Sequence, residues 1–239
     1  MANDRIDRSI RERRRGTRQN EAGRETRARI LDEAERLFAV HGLDAVSVRE
    51  ITDSADVNTA AIHYHFGSKH DLIAAILARR AGPFSERRQE LLDDLAKGGD
   101  PDLRAVVRAL VLPNYELAND GKGGANYIAF LAALGNHAEL MPLIAEYFDG
   151  GIERSMDVLA RVTPHLPAEV RELRMAIAKD LVNRLLGQPN GQVRLWSEAR
   201  SPGSTSDMLT VLTDVIVGIF QADVTPKRRV RRSRAAAAG

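Results

Sequence analysis

The sequence predicts an all-α protein of about nine helices, short ones near the N-terminus followed by a body of longer ones. Three observations lead there. Apolar residues recur at helical spacing from Thr26 onward, capping boxes and glycines divide the first part into short segments, and beyond Arg80 no alternating strand pattern occurs.

With 44% hydrophobic and 28% charged residues, the composition is that of a globular chain able to bury a core. No apolar run approaches the roughly 20 residues of a membrane helix. The N-terminus carries charge where a secretory signal needs an apolar segment, and there is no cysteine for a disulfide framework or a thiolate metal site. A soluble, cytoplasmic protein without a membrane partner is the expectation. The net charge of +2 hides an asymmetry: residues 1–80 carry 15 basic against 13 acidic side chains, residues 81–222 carry 14 against 19, and residues 223–239 carry 6 against 1. An acidic body with basic ends fits a polyanion partner, because clustered Lys and Arg release counterions on meeting phosphates. Solvated tails would show the same charges.

In chain order, residues 1–25 hold eight Arg and little apolar content, so they are expected to form a basic, disordered arm. The first helix runs from Thr26, with Ile30, Ala34, Leu37 and Phe38 on one face and Gly42 as its stop. Ser47-Val48-Arg49-Glu50 is a capping box opening the second helix, whose Val48, Ile51 and Ala55 share a face. Asp56-Val57-Asn58 connects it to a third helix, residues 59–66, capped by Asn58 and ended by Gly67. A second capping box, Ser68-Lys69-His70-Asp71, leads into Leu72, Ile73 and Ile76 of a fourth. Helical stretches are then expected at 83–97, 101–118 with a kink at Pro113, 125–134, 142–162, 167–186 and 204–221. The connection 187–203 is long, and the Arg-rich then Ala-rich tail 226–239 is expected to be disordered. The expected domains are the arm 1–25, a unit of short helices 26–80, a unit of longer helices 81–222, and a basic tail 223–239.

Two short helices joined by a three- to four-residue turn suit major-groove reading, which needs a helix anchored on one face and small or hydrogen-bonding on the other. Ile62 and Phe66 can anchor the third helix, leaving Thr59, Ala60, His63 and Tyr64 for DNA.

The stretch Val57-Asn58-Thr59-Ala60-Ala61-Ile62-His63-Tyr64-His65-Phe66-Gly67-Ser68-Lys69 closely resembles the recognition-helix signature of the TetR family of transcriptional regulators. The helix beginning at Thr26, then Gly42, then Val46-Ser47-Val48-Arg49-Glu50-Ile51 resemble the family's first two helices at its usual spacing, so the resemblance covers about residues 26–77. It implies an N-terminal three-helix helix-turn-helix DNA-binding domain followed by a helical ligand-binding and dimerisation domain. It further implies that Thr59, Ala60 and His63 face base edges while Ser47, Arg49, Tyr64, His65 and Lys69 touch phosphates. His63 and His65 depart from the aromatic residues that many relatives carry there.

Specific reading of double-stranded DNA requires two copies on half-sites about 34 Å apart, so a homodimer on a palindromic operator is expected. Val170, Leu173, Ile177, Leu181 and Leu185 form one stripe, and Leu209, Leu212, Val215, Ile216, Ile219 and Phe220 another. In the family resemblance the last two long helices make the intersubunit bundle; alternatively, the stripes pack within one chain. The aromatics Tyr115, Tyr127, Phe130, Tyr147 and Phe148, with Trp196 on a lid, are the candidate lining for a small, largely apolar effector. Each has an ordinary core role as its alternative. No metal or cofactor is expected: His63, His65 and His70 make no i, i+4 pair, and Asp120-Gly121-Lys122-Gly123-Gly124-Ala125 lacks phosphate-loop spacing. No nucleophile elbow is present, so an enzyme is not expected. The resulting reading is a repressor released from DNA by its effector; the alternative is a ligand-independent or architectural DNA-binding protein.

Overall fold

The computed structural model describes residues 2–121, 123–187 and 208–224, with the backbone alone for residues 2–19 and Asp149. Among the described residues there are nine α-helices, one 3-10 turn and no strand. They are α1 (Ala2–His41), α2 (Val48–Ser54), α3 (Thr59–His65), α4 (Lys69–Lys97), α5 (Leu103–Ala118), α6 (Gly124–Leu134), the 3-10 turn Ala138–Leu140, α7 (Met141–Val162), α8 (Ala168–Leu186) and α9 (Met208–Gln221). No single described helix is long and apolar enough to cross a membrane.

The capping box at Ser47 closes in both directions, whereas at Ser68 only the hydroxyl cap forms, and that hydroxyl itself donates to Asp71 Oδ2 at 2.6 Å. Glu50 N donates to Ser47 Oγ at 3.2 Å and Ser47 N to Glu50 Oε2 at 2.7 Å, while Asp71 N donates to Ser68 Oγ at 3.1 Å. Asn58 caps α3 through a 2.9 Å bond from Ala60 N, and Asp102 caps α5 through a 2.7 Å bond from Ala105 N. The α2–α3 turn needs a left-handed residue, and Asp56 supplies it at φ 52°.

Two elements differ from expectation. α1 begins at Ala2, where a disordered arm was expected. Arg, Glu and Gln are good helix formers, no proline interrupts the run, and lengthening a helix already nucleated on the core needs no apolar face of its own. α4 is one helix of 29 residues, where a break was expected before Pro83. Pro83 is exposed, and buried Ala81, Phe84 and Leu92 hold both flanks to the body, so the loss of one backbone bond does not end the helix. α5 likewise runs through Pro113. The expected connection 188–203, the first residues of the 204–221 helix and the tail 226–239 lie outside the described residues.

The core has two parts. One joins α1–α4 around Ile30, Phe38, Ile51, Ile62 and Ile76 and continues without interruption into Tyr127 and Phe130 of α6. The other fills the body with residues such as Val106, Leu159, Val182, Leu212 and Phe220. The boundary expected at residue 80 therefore falls inside α4 and inside one core. Charge reinforces this junction. Glu35 of α1, only 2% exposed, accepts from Arg79 at 2.5 Å and from Arg80 at 3.4 Å, and Arg79 also reaches Asp32 at 2.5 Å. Arg80 lies 3.5 Å from Asp120, in the connection before α6, whose first amide, Gly124 N, donates to Asp120 Oδ1 at 3.2 Å. Burial opposes the charge of Arg79, yet the hydrogen bond from Glu35 and the nearby carboxylates raise its pKa.

Candidate functional site

The helix-turn-helix presents the residue pattern that groove insertion demands. Ile62 is fully buried in the α1–α4 core and Phe66 lies under the Arg27 guanidinium at 5.0 Å, so α3 is anchored on one face. Thr59, Ala60, His63 and Tyr64 are exposed on the other, Tyr64 to 84%. Thr59 Oγ1 sits 3.4 Å from Thr52 Oγ1 of α2, which ties the start of α3 to its neighbour. His63 Nδ1 lies 2.9 Å from Gly67 O. A carbonyl can only accept, so Nδ1 carries the proton and donates to it, which turns Nε2 outward. Tyr64 meets His65 edge-on at 4.9 Å between ring centroids.

Ser47 and Arg49 are exposed at the start of α2, and Arg49 makes only a loose 3.8 Å pair with Asp53. Lys69 is different. Its ammonium donates to Leu43 O at 2.5 Å and Val46 O at 2.7 Å, above the Phe38 ring at 5.5 Å. Two of its three donors thus hold the α1–α2 loop, so its first role is to fix the position of α2. Glu33 completes the support: it accepts from Ser54 at 2.6 Å and from Arg36 at 2.8 Å, and the Ser54 hydroxyl is the leading reason its carboxyl titrates below the usual range.

The body encloses a cavity of about 420 Å³, walled mainly by apolar side chains of α4–α9. That volume is within the roughly 300–1,000 Å³ of small-molecule sites. Of the aromatics expected to line it, Phe148 does so. Tyr115, Tyr127, Phe130 and Tyr147 do not. Tyr127 and Phe130 are fully buried in the α1–α4 core, where the Tyr127 hydroxyl donates to Leu77 O at 3.4 Å and burial pushes its pKa up. Tyr147 packs against the same core, and Tyr115 against the core of the body. Trp196 lies outside the described residues. Aromatic clustering was thus a signal of packing more than of lining.

The cavity residues that sequence reasoning missed are Arg88, Asn114, Ser155 and Asn183. A signal existed for the first: Ala81, Phe84 and Leu92 are buried on α4, and Arg88 falls in the same stripe, a charge where helical spacing calls for an apolar residue. Asn114 Nδ2 donates to Asn183 Oδ1 at 3.0 Å across α5 and α8, and Ser155 donates to Gly151 O at 2.7 Å. Among the described residues no cluster of three or more His, Cys, Asp or Glu could hold a metal ion.

On α8, Leu173 is 63% and Ile177 50% exposed, while Ala178, Val182 and Leu186 turn inward. On α9 the expected stripe divides. Leu209, Leu212, Ile216 and Phe220 pack within the chain, leaving Val211 and Val215 exposed. The inward set corrects the expectation that this stripe as a whole faces outward. It follows from α9 being wrapped by α5 and α8, with its last carbonyls held by Arg174 and His165.

Comparison with known proteins agrees with this architecture at both ends. Residues 30–76 match the bacterial regulatory proteins of the tetR family, and residues 108–218 match the tetracyclin repressor-like C-terminal domain. The chain is 36% identical over 90 residues to the transcriptional repressor KstR2 of Rhodococcus jostii, covering 38% of this chain and 42% of that protein. It is 46% identical over 52 residues to the transcriptional regulator AcrR of Shigella flexneri, covering 22% and 24%. The matched region thus spans less than half the length of these curated relatives. The solved structure of Mycobacterium smegmatis AmtR superposes with a TM-score of 0.52 over 82% of this chain and 86% of that one, at 21% identity. A tetR-family regulator from Shewanella sp. PV-4 gives 0.54 over 82% and 95%, at 14% identity. These likenesses show the fold, and the two matched segments, one on the helix-turn-helix and one across the cavity, establish that the chain belongs to the tetR family of bacterial regulatory proteins.

Proposed function

We propose that this protein is a one-component transcriptional repressor that binds a palindromic operator as a homodimer and leaves it when a small, largely apolar effector fills the cavity. The observation that carries this reading is α4. The helix begins at the Ser68 cap directly after α3, and its Phe84 and Arg88 form part of the cavity wall. A ligand that prefers one setting of α4 then biases the setting of the reading head, which is what linkage between two sites requires.

In this reading Thr59, Ala60 and His63 meet base edges, and Ser47, Arg49, Tyr64 and His65 meet phosphates, with Lys69 keeping a third donor for the backbone. With Nδ1 engaged by Gly67 O, His63 presents Nε2 to a base edge. Dimerisation uses the exposed Leu173 and Ile177 of α8 with Val211 and Val215 of α9, large apolar side chains that water would otherwise face. Repression is supported by the likeness to KstR2, itself a transcriptional repressor.

The test is selection of bound duplexes from a random pool at near-physiological salt, followed by titration of the enriched site with the wild type and with His63→Ala. An enriched two-half-site palindrome, whose preference relaxes at one symmetric position in the variant, supports the reading. Salt-sensitive binding without enrichment means an architectural DNA-binding protein instead.

A further inference from the structure

Of the four arginines on α4, three face carboxylates. Arg79 and Arg80 share Glu35, and Arg87 grips Glu116 through Nε at 2.9 Å and Nη2 at 3.0 Å. Arg88 is the exception. It lines the cavity, its Nε is shielded from solvent without a hydrogen-bond partner, and no ion pair or hydrogen bond reaches its guanidinium from any described residue. The guanidinium lies over the face of Phe84, 4.6 Å from the ring centroid. Desolvation is the sole cause acting on its pKa, which falls to about 10.

The other polar groups around the cavity each have a partner within the protein. Asp180, the carboxylate of the lining, is gripped through both oxygens by Arg184 Nε at 2.9 and 2.8 Å. Asn114 and Asn183 bond each other, Ser155 bonds a backbone carbonyl, and Lys179 has an interaction of its own. A desolvated guanidinium without an anion is costly, and its planar fork of donors matches a carboxylate in two parallel bonds. The rest of the wall, including Val107, Leu131, Ile144 and Phe220, offers such a ligand only apolar contact.

We propose that Arg88 is the receptor for the carboxylate of an amphiphilic effector whose hydrocarbon body fills the remainder of the cavity. This rests on the reading of the cavity as the effector site and specifies the chemical class that site takes. At roughly 30 Å³ per heavy atom, the 420 Å³ holds about 14 such atoms, the size of a medium-chain monocarboxylic acid.

The experiment titrates the full-length protein with straight-chain carboxylates from hexanoate to tetradecanoate and with the matching primary alcohols, by calorimetry, in the wild type and in Arg88→Met. Methionine keeps a linear side chain in the stripe and removes the charge. In the wild type the acid of best length binds at least about tenfold tighter than its alcohol, the worth of hydrogen bonds to a charged group. In Arg88→Met that preference disappears while alcohol binding is kept, and the unliganded variant melts no lower than the wild type, because a desolvated charge has been removed. Acid and alcohol binding equally to the wild type, or the preference surviving in Arg88→Met, overturns the assignment of Arg88 and leaves the cavity as an effector site. A marked fall in melting temperature shows that the guanidinium serves the fold and overturns it too. Failure of every acid and alcohol to bind removes this inference together with the effector reading of the cavity.

Discussion

Replacing Glu35 with Gln removes one negative charge from the joint between α1, α4 and α6 while keeping the side chain's shape. Glu35 is almost fully buried and serves two guanidiniums, Arg79 at 2.5 Å and Arg80 at 3.4 Å. Orphaning a buried charge costs about 3–5 kcal/mol. Here the loss is partial, since Arg79 keeps Asp32 at 2.5 Å and Arg80 keeps Asp120 at 3.5 Å. About half of the full cost, roughly 2 kcal/mol, is therefore expected. For a chain of this length that lowers the melting temperature by about 4–8 °C. The assay is thermal and urea denaturation followed by circular dichroism, at matched protein concentration so that the proposed dimerisation contributes equally to both measurements. Asp32→Asn is the control: its side chain is exposed, and its pair belongs with surface salt bridges worth about 0–1 kcal/mol. Should Glu35→Gln melt together with the wild type, or Asp32→Asn prove the costlier change, the buried carboxylate is not the centre of this joint.

Three further outcomes are expected. Lys69→Met forfeits the bonds to Leu43 O and Val46 O, so amide hydrogen exchange should quicken in the 42–47 loop and operator affinity should fall even though the base-reading face is intact; unchanged exchange would show the ammonium to be free for phosphate. The double change Leu173→Glu with Ile177→Glu should give monomers by sedimentation and lose operator binding while retaining helical content, whereas persistent dimers would place the interface elsewhere. Glu33 and Glu116 titrate below their usual value, chiefly through hydrogen bonds from Ser54 and Arg87 respectively. A carboxylate with a depressed folded pKa contributes stability that is present above the unfolded value of about 4.5 and lost as pH falls through the folded value, so the melting temperature should drop on acidification below that point. Glu33→Gln with Glu116→Gln should flatten that drop; an equal slope in the variant would remove these two groups as its cause.

The head was legible because its signals are local. The capping box at Ser47, the serine cap at Ser68 and the glycine stops at Gly42 and Gly67 each depend on residues within one turn, and the structure forms them where spacing places them. Pro83 misled because a proline stops a helix only if nothing else holds the two halves in line, and Phe84 and Leu92 supply that hold through long-range packing. The cavity was the least legible part. Whether Phe130 lines it or fills a core depends on Phe38, 92 residues earlier, against which it stacks at 6.0 Å between centroids. By contrast, Arg88 announces itself in a helical projection, because a charge interrupting an apolar stripe has to be answered by some partner.

Pro83 divides α4 into two arms of fourteen residues each, about 21 Å long. In mechanical terms this is an equal-armed lever with its fulcrum where the backbone lacks a hydrogen bond. A rotation of about 5° at that point moves either far end by about 2 Å. The pocket residues Phe84 and Arg88 sit one and five residues past that fulcrum, so a push on Arg88, about 7.5 Å out, would be magnified roughly threefold at the far end of the other arm. Ligand length, which sets how far Phe84 and Arg88 are pushed, then becomes the quantity that grades the response. Two molecules of equal affinity but different length would differ in how completely they free the DNA.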